Sequence, residues 1–229
     1  MSHEHRQALP AGARLHEYEL LSVLGSGGFG VVYLAHDQEL HQQVVIKEYL
    51  PLAFATRVAG NTVVPVSTRE AGNFRWGLDS FISEARTLAE FRQCPNVVSV
   101  LRYFKANNTG YMVMEYAGAV SLQDFLEVHQ TLTEKQLLAL VLPLLDALEV
   151  IHAKGVIHRD IKPGNILIND DSQPVLIDFG AARQAIGERT MSLTTLLTPE
   201  YAPFEQHHKT GQQGHGLIFM HWPPSCSAA

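Results

Sequence analysis

Cysteine is nearly absent from this 229-residue chain: Cys94 and Cys226 stand alone, too few and too scattered for a disulfide framework or a zinc site. A reducing compartment fits them. Positive charge is also scarce. Lys and Arg number 17 against 23 Asp and Glu, a formal net charge of −6. That balance argues against nucleic acid as a partner, because a phosphate backbone calls for a basic footprint. No basic-then-apolar leader opens the chain between Met1 and Gly12. Long hydrophobic runs are missing too. The most apolar stretch, Leu137 to Leu145, contains Pro143 and is soon followed by Asp146 and Glu149, well short of the ~20 residues of a membrane span. These absences predict a soluble, cytoplasmic chain with no membrane segment, and leave the oligomeric state open. What is present, 46% hydrophobic and 17% charged residues, is an ordinary globular composition, long enough for one large domain or two small ones.

The chemistry is densest in His158-Arg159-Asp160-Ile161-Lys162-Pro163-Gly164-Asn165, which places a candidate base, cations and a carboxamide within one loop. Further on, the apolar run Val175-Leu176-Ile177 delivers Asp178, followed by Phe179-Gly180. Two oxygen ligands from different segments, Asn165 and Asp178, suit a hard cation such as Mg²⁺, which binds few protein oxygens plus phosphates. Asp160 then remains to orient a hydroxyl, and Lys162 to neutralise a transferring phosphoryl group.

Upstream, a strand from Tyr18 to Leu24 runs into Gly25-Ser26-Gly27-Gly28-Phe29-Gly30. Such glycines tolerate positive φ and let backbone N–H groups approach an anion. A dinucleotide fold needs a helix directly after them, whereas Val31-Val32-Tyr33-Leu34-Ala35 is strand material. The unit is therefore a strand–loop–strand hairpin. Val44-Val45-Ile46-Lys47 is a further strand ending in a lysine able to reach phosphates if an acid holds it. The region from Glu48 to Asp79 carries turn signals at Gly60-Asn61 and Gly72-Asn73 and suggests no function. Apolar spacing from Phe81 to Ala89 predicts a helix capped by Ser80 or Asp79, with Glu84 at the edge of its stripe, either a solvated helical glutamate or an inward-facing partner for Lys47. Strands are expected over Val97–Phe104 and Tyr111–Met114 around the turn Asn107-Asn108-Thr109-Gly110, and Glu115-Tyr116-Ala117-Gly118 reads as a connector. A short helix follows from Ser121 to Val128. Thr133 and Gln136 form a capping box opening an apolar helix to about His152. That helix should be kinked at Pro143 and buried all round.

The ordered set resembles a eukaryotic-type (Hanks-type) serine/threonine protein kinase of the bacterial sort, over residues 18 to 206. This motif set is an established kinase pattern, so the match is a recognition. The resemblance implies an α+β, two-lobed kinase fold with an antiparallel β N-lobe and a helical C-lobe. It implies an N-terminal extension over 1–17, an N-lobe over 18–116, a partial C-lobe over 117–206 and a tail outside the family over 207–229. ATP and Mg²⁺ would be the cofactors and a protein Ser/Thr hydroxyl the acceptor. Carried over residue by residue, Gly25, Ser26, Gly27, Gly28, Phe29, Gly30 and Val32 resemble the glycine-rich loop. Lys47 resembles the lysine on the α/β-phosphates and Glu84 its helix partner. Met114 takes the gatekeeper place, Glu115 and Ala117 offer backbone groups to adenine, and Leu167 lies beneath the ring. Asp160 is the base, Lys162 the serine/threonine-type lysine, and Asn165 and Asp178 the metal ligands.

The chain departs from the family pattern in three places. Val45 stands where alanine usually meets adenine. The segment between Lys47 and Glu84 is longer than usual. After Pro203-Phe204-Glu205-Gln206 the pattern stops, and the tail has no Asp or Glu. The codons required by Met220-His221-Trp222-Pro223, read from the last base of the Met codon, spell Ala-Leu-Ala. Codons permitted for His215 to Met220 can likewise spell Pro-Trp-Thr-Asp-Ile-Tyr, as a kinase has there. The hypothesis is a one-base loss near Gly214 that truncated the C-lobe. Resequencing the locus tests it, and an error-free frame without kinase helices encoded downstream in the other frame refutes it. Arg159 suggests a pocket reading phosphorylation at Thr190, Ser192, Thr194 or Thr195, and Thr198 resembles a threonine that contacts the catalytic loop. The alternatives to an active kinase are a nucleotide-binding fragment or pseudokinase without turnover, and a remnant that does not fold alone.

Overall fold

The computed structural model describes residues 7–118, 120–158 and 160–179. These divide into two compact units, one built from residues up to 92 together with 99–116, the other from 93–98 together with residues from 117 onward.

In chain order the first unit contains β1 (Arg14–Leu15), β2 (Tyr18–Gly27), β3 (Gly30–Asp37), β4 (Gln42–Tyr49), β5 (Ala55–Arg57), β6 (Val63–Pro65), helix α1 (Ala71–Ala89), β7 (Val100–Ala106) and β8 (Thr109–Glu115). Six strands form an antiparallel sheet in the order β1-β2-β3-β4-β8-β7, and β5 pairs with β6 as a separate hairpin. Side chains directly opposite each other across a ladder share a face, and successive residues alternate. Pairing of Gly25 with Val32, Val32 with Lys47 and Lys47 with Met112 therefore defines one face, which also carries Leu34, Val45 and Met114. Tyr33, Ala35, Val44, Ile46, Glu48, Tyr111 and Val113 occupy the other, and all seven are fully buried. Part of their cover comes from the chain's beginning: Leu9 is buried and its N–H donates to the Tyr33 hydroxyl at 3.0 Å.

Two element boundaries correct the sequence expectation. Helix α1 begins at Ala71, not near Ser80, so Gly72 and Asn73 lie in its first turn and form no turn of their own. The cause is tertiary. Phe74 is buried against Tyr49, with ring centroids 5.6 Å apart, and Asn73 Nδ2 donates to Glu70 Oε2 at 2.8 Å. Burial of an aromatic ring outweighs the weak helix propensity of Gly and Asn. Strand β7 starts at Val100 because Asn96 to Val98 pair elsewhere: Val98 N–H donates to Leu176 O at 3.0 Å and Leu176 N–H to Asn96 O at 2.8 Å. The β7–β8 turn is Asn107-Asn108, both at positive φ, the backbone a two-residue hairpin demands.

The second unit contains β9 (Val120–Ser121), α2 (Leu122–His129), α3 (Glu134–Ala153), β10 (Ile166–Ile168) and β11 (Pro174–Leu176). Its three strands pair in the order β11-β10-β9. Ser121 caps α2, accepting from the Asp124 N–H, and the Thr133–Gln136 capping box opens α3 as expected. Helix α3 continues through Pro143. It is not buried all round. Leu140, Leu144, Ala147, Leu148 and Ile151 form the buried stripe, while Leu138, Leu142, Leu145 and Val150 are exposed. Among the described elements α3 packs chiefly on β11, which reaches only one side of it. By length and mean hydropathy, 1.6, the whole helix is sufficient to cross a bilayer, although its shorter apolar core suggested otherwise. Its cap and one-sided burial are equally those of a globular helix.

The α+β class and the antiparallel first lobe are as expected. Arg159, the 190–195 phosphorylation candidates, Thr198, Glu205, the later C-lobe helices and the tail over 207–229 lie outside the described residues.

Candidate active site

The candidate residues fall in both units, and each set has its own geometry. In the first, the glycine run forms the tip of the β2–β3 hairpin, whose ladder closes with Gly27 opposite Gly30. None of its glycines has positive φ, so conformational freedom is not why they are glycine. At Gly30 the reason is contact: a Cβ there would stand 2.1 Å from the Glu48 carbonyl oxygen. At Gly25, Gly27 and Gly28 a Cβ would meet nothing within 4 Å. Their bare backbone faces open space, as close approach of an anion requires. Ser26 pairs with Val31 beside them, and the carbonyls of Gly28 and Phe29 accept from Leu52 and Leu50.

Lys47 stands on the Val32 face of the sheet, next but one to Val45. Its Nζ lies 3.7 Å from Glu84 Oε1, with the two side chains 19% and 3% exposed, and 6.0 Å from the Phe81 ring centroid. The strand-end lysine and the helical glutamate named from sequence are thus brought together, at ion-pair distance but beyond ordinary hydrogen-bond length. Val45 pairs directly with Met114. Glu115 uses its N–H on the Ser99 carbonyl at 3.0 Å.

In the second unit, Asp160 is held by two neighbours. Lys162 Nζ lies 3.1 Å from its Oδ2. Asn165 Nδ2 donates both to that oxygen, at 2.8 Å, and to the Asp160 carbonyl at 2.7 Å. A short 3-10 turn, Pro163–Asn165, sets this geometry, with Asn165 N–H donating to Lys162 O at 2.9 Å. Both Asp160 acceptors need a donor, so the amide of Asn165 must face them with nitrogen, which leaves Oδ1 as its acceptor atom. Ile177 N–H donates to Asn165 O at 3.0 Å, bringing the residue before Asp178 to the loop. Asp178 itself has φ 60°, a backbone state uncommon outside glycine and frequent at functional sites. Leu167 sits on β10 between Ser121 and Val175. Ala117 precedes Gly118, which has a positive φ of 58° and where a Cβ would stand 3.0 Å from Asp170 Oδ2.

His158 has a role its motif position alone did not reveal. It is buried, its Nδ1 accepts from the Asp160 N–H at 3.3 Å, and its Nε2 contacts Ile177 O at 3.0 Å. An accepting Nδ1 makes Nε2 the protonated nitrogen, so a neutral imidazole bridges the Asp160 and Asp178 segments. Its ring lies 4.5 Å from that of Phe179.

The protein kinase domain profile matches residues 18–215. The chain belongs to that family. Serine/threonine-protein kinase D of Synechocystis sp. is 36% identical over 181 residues, covering 77% of this chain and 32% of that protein. PknA of Nostoc sp., also a serine/threonine-protein kinase, is 31% identical over 199 residues, covering 82% and 33%. A solved structure titled "PpkA-294 apo form" superposes with a TM-score of 0.82 at 37% identity, covering 90% of this chain and 73% of that one. The two-lobed kinase fold and the bacterial serine/threonine-kinase kinship of this chain are thereby established. It spans about a third of the length of the curated relatives it matches.

Sequence reasoning missed the cluster on the reverse face of β4. Glu48 accepts from the Tyr33 hydroxyl at 2.7 Å, the Tyr111 hydroxyl at 2.6 Å and Arg57 Nη2 at 2.5 Å. Burial and the neighbouring carboxylate push both tyrosines far above their ordinary range. Burial alone would lower Arg57, but its bond to Glu48 raises it overall. One signal was available: strand alternation puts Glu48 on the face opposite Lys47.

Proposed function

We propose that the chain transfers the γ-phosphoryl group of ATP to Ser or Thr hydroxyls of protein substrates. The observation that carries this reading is the Asp160–Lys162–Asn165 arrangement, a carboxylate fixed by an ammonium at 3.1 Å and a carboxamide at 2.8 Å. Asp160 would accept the proton of the attacking hydroxyl, and Lys162 would stabilise charge on the transferring group. Asn165 Oδ1 and the Asp178 carboxylate are hard oxygen donors from adjoining segments, and they fit Mg²⁺. Bound there, the ion would neutralise phosphate charge. The open backbone at Gly25, Gly27 and Gly28 suits phosphate oxygens, and Lys47, held by Glu84, supplies a cation for them. In the first unit, Val32, Val45 and Met114 would offer apolar surface to adenine and Glu115 its backbone groups; in the second, the resemblance gives Leu167 and Ala117 the corresponding roles.

The test is transfer of labelled phosphate from ATP·Mg²⁺ to a generic Ser/Thr protein substrate. Asp160→Asn should lower the rate by about 10²-fold or more, the usual worth of a general base. Nucleotide-dependent thermal stabilisation with no transfer above the Asp160→Asn control would instead identify a nucleotide-binding pseudokinase.

A further inference from the structure

The segment between β4 and α1 has no part in the proposed chemistry, yet it is bonded to nearly everything around it. The β3–β4 ladder does not stop where Gly30 meets Tyr49. Leu50 N–H donates to Phe29 O at 3.0 Å, and Leu52 N–H to Gly28 O at 3.1 Å, so the insertion grips the tip of the glycine-rich loop by its carbonyls. Beyond that grip the β5–β6 hairpin is fastened at three points. Val63 N–H donates to Asn107 O at 2.8 Å and Asn108 Nδ2 to Val63 O at 2.8 Å, tying it to the β7–β8 turn. Gln7 Oε1 accepts from Arg57 N–H and Gln7 O from Arg57 Nε, both at 2.6 Å, tying it to the chain's beginning. Arg57 Nη2 reaches Glu48, the residue after Lys47, with the two side chains 9% and 0% exposed.

We propose that residues 50–66 are a latch that holds the glycine-rich loop and Lys47 in one fixed arrangement, with Arg57 as its anchor and the Leu50 and Leu52 N–H groups as its grip. This deepens the kinase reading and rests on it for its consequence, though the latch itself is a property of the first unit alone. A glycine-rich hairpin left to itself samples many conformations and loses that freedom when it closes on phosphates. A loop already ordered through the carbonyls of Gly28 and Phe29 meets less of that cost on binding. Arg57 and Leu52 are positioning residues, acting on nucleotide through the loop and through Glu48.

Two variants of the full chain test the latch. Leu52→Pro removes one gripping N–H at a site whose side chain is already partly exposed, 38%. Glu48→Gln with Arg57→Met removes the anchor without stranding a buried charge. Hydrogen exchange followed by mass spectrometry should show residues 25–32 exchanging about ten-fold faster in both, while α2 and α3 keep their protection, because exchange reads local opening. KM for ATP should rise about ten-fold with kcat changed less than about two-fold, the split expected when only preorganised binding is lost. Unchanged exchange over residues 25–32 in both variants overturns the latch. So does faster exchange spread evenly over both units, which signals general destabilisation. If the wild-type chain transfers no phosphate, the exchange result still decides the latch, so failure of the kinase reading remains distinguishable.

Discussion

Lys47 and Glu48 are neighbours on β4, yet the two faces they occupy treat charge in opposite ways. Lys47 meets Glu84 at 3.7 Å and keeps 19% of its side chain exposed. Glu48 is fully enclosed, at 2.5 Å from Arg57 and with two tyrosine hydroxyls completing its acceptors. A buried carboxylate is tolerable only when paired and hydrogen-bonded to this degree, and such a pair has little freedom to exchange partners. The Lys47–Glu84 pair is longer and its lysine keeps some contact with solvent, so its geometry is less tightly fixed than that of the Glu48–Arg57 pair. One face of a single strand is therefore built for position, while the other carries the lysine proposed to meet phosphate.

The comparison breaks first at Arg57. Arg57→Ala strands the Glu48 charge and should cost about 3–5 kcal/mol, a large part of a typical domain's ~5–15 kcal/mol. Chemical denaturation of wild type, Arg57→Ala and the neutral Glu48→Gln, Arg57→Met pair checks this. Recovery of most of the loss in the double variant is expected, and equal stability of all three would contradict the buried pair.

A smaller effect should appear at alkaline pH. Tyr33, Tyr49 and Tyr111 are all held above their ordinary value by burial, the first and last also by Glu48. In the unfolded chain they ionise near pH ~10, where the folded protein still binds their protons. Stability is thus whole below pH ~10 and falls as pH rises beyond it, by up to about 1.4 kcal/mol per pH unit for each tyrosine. Melting curves from pH 8 to 11 should steepen downward above 10, and Tyr33→Phe should flatten that fall.

The smallest change in stability should come from the other face. Lys47→Met combined with Glu84→Gln, which leaves no buried carboxylate charge behind, is expected to cost less than about 1 kcal/mol of unfolding free energy, while weakening ATP binding in a fluorescence titration. A loss comparable with that of Arg57→Ala would erase the distinction between the faces.

The proposed chemistry was legible in the chain because it rests on residue types in order. Asp160, Lys162 and Asn165 lie within six positions, so a single short turn suffices to assemble them, and the glycine hairpin was readable from the strand-forming residues after it. Glu84 was found from helical spacing, although only packing could show that it faces inward. Helix α1 began earlier than expected because Phe74 is buried against Tyr49, a partner distant in sequence. The hairpin over Ala55–Pro65 was signalled only by its turn at Gly60-Asn61, both at positive φ, and nothing local pairs Arg57 with Glu48, so its fastening was not legible.

The amino-acid sequence by itself determined the family, the proposed catalytic constellation and the strand–loop–strand form of the glycine-rich segment, because those depend on local order and residue chemistry. Only the tertiary structure decided that Glu48 is a buried anchor, that the insertion grips the loop tip, and that α3 buries one face. Each of these depends on which distant groups come together and how completely water is removed, and no local pattern encodes that.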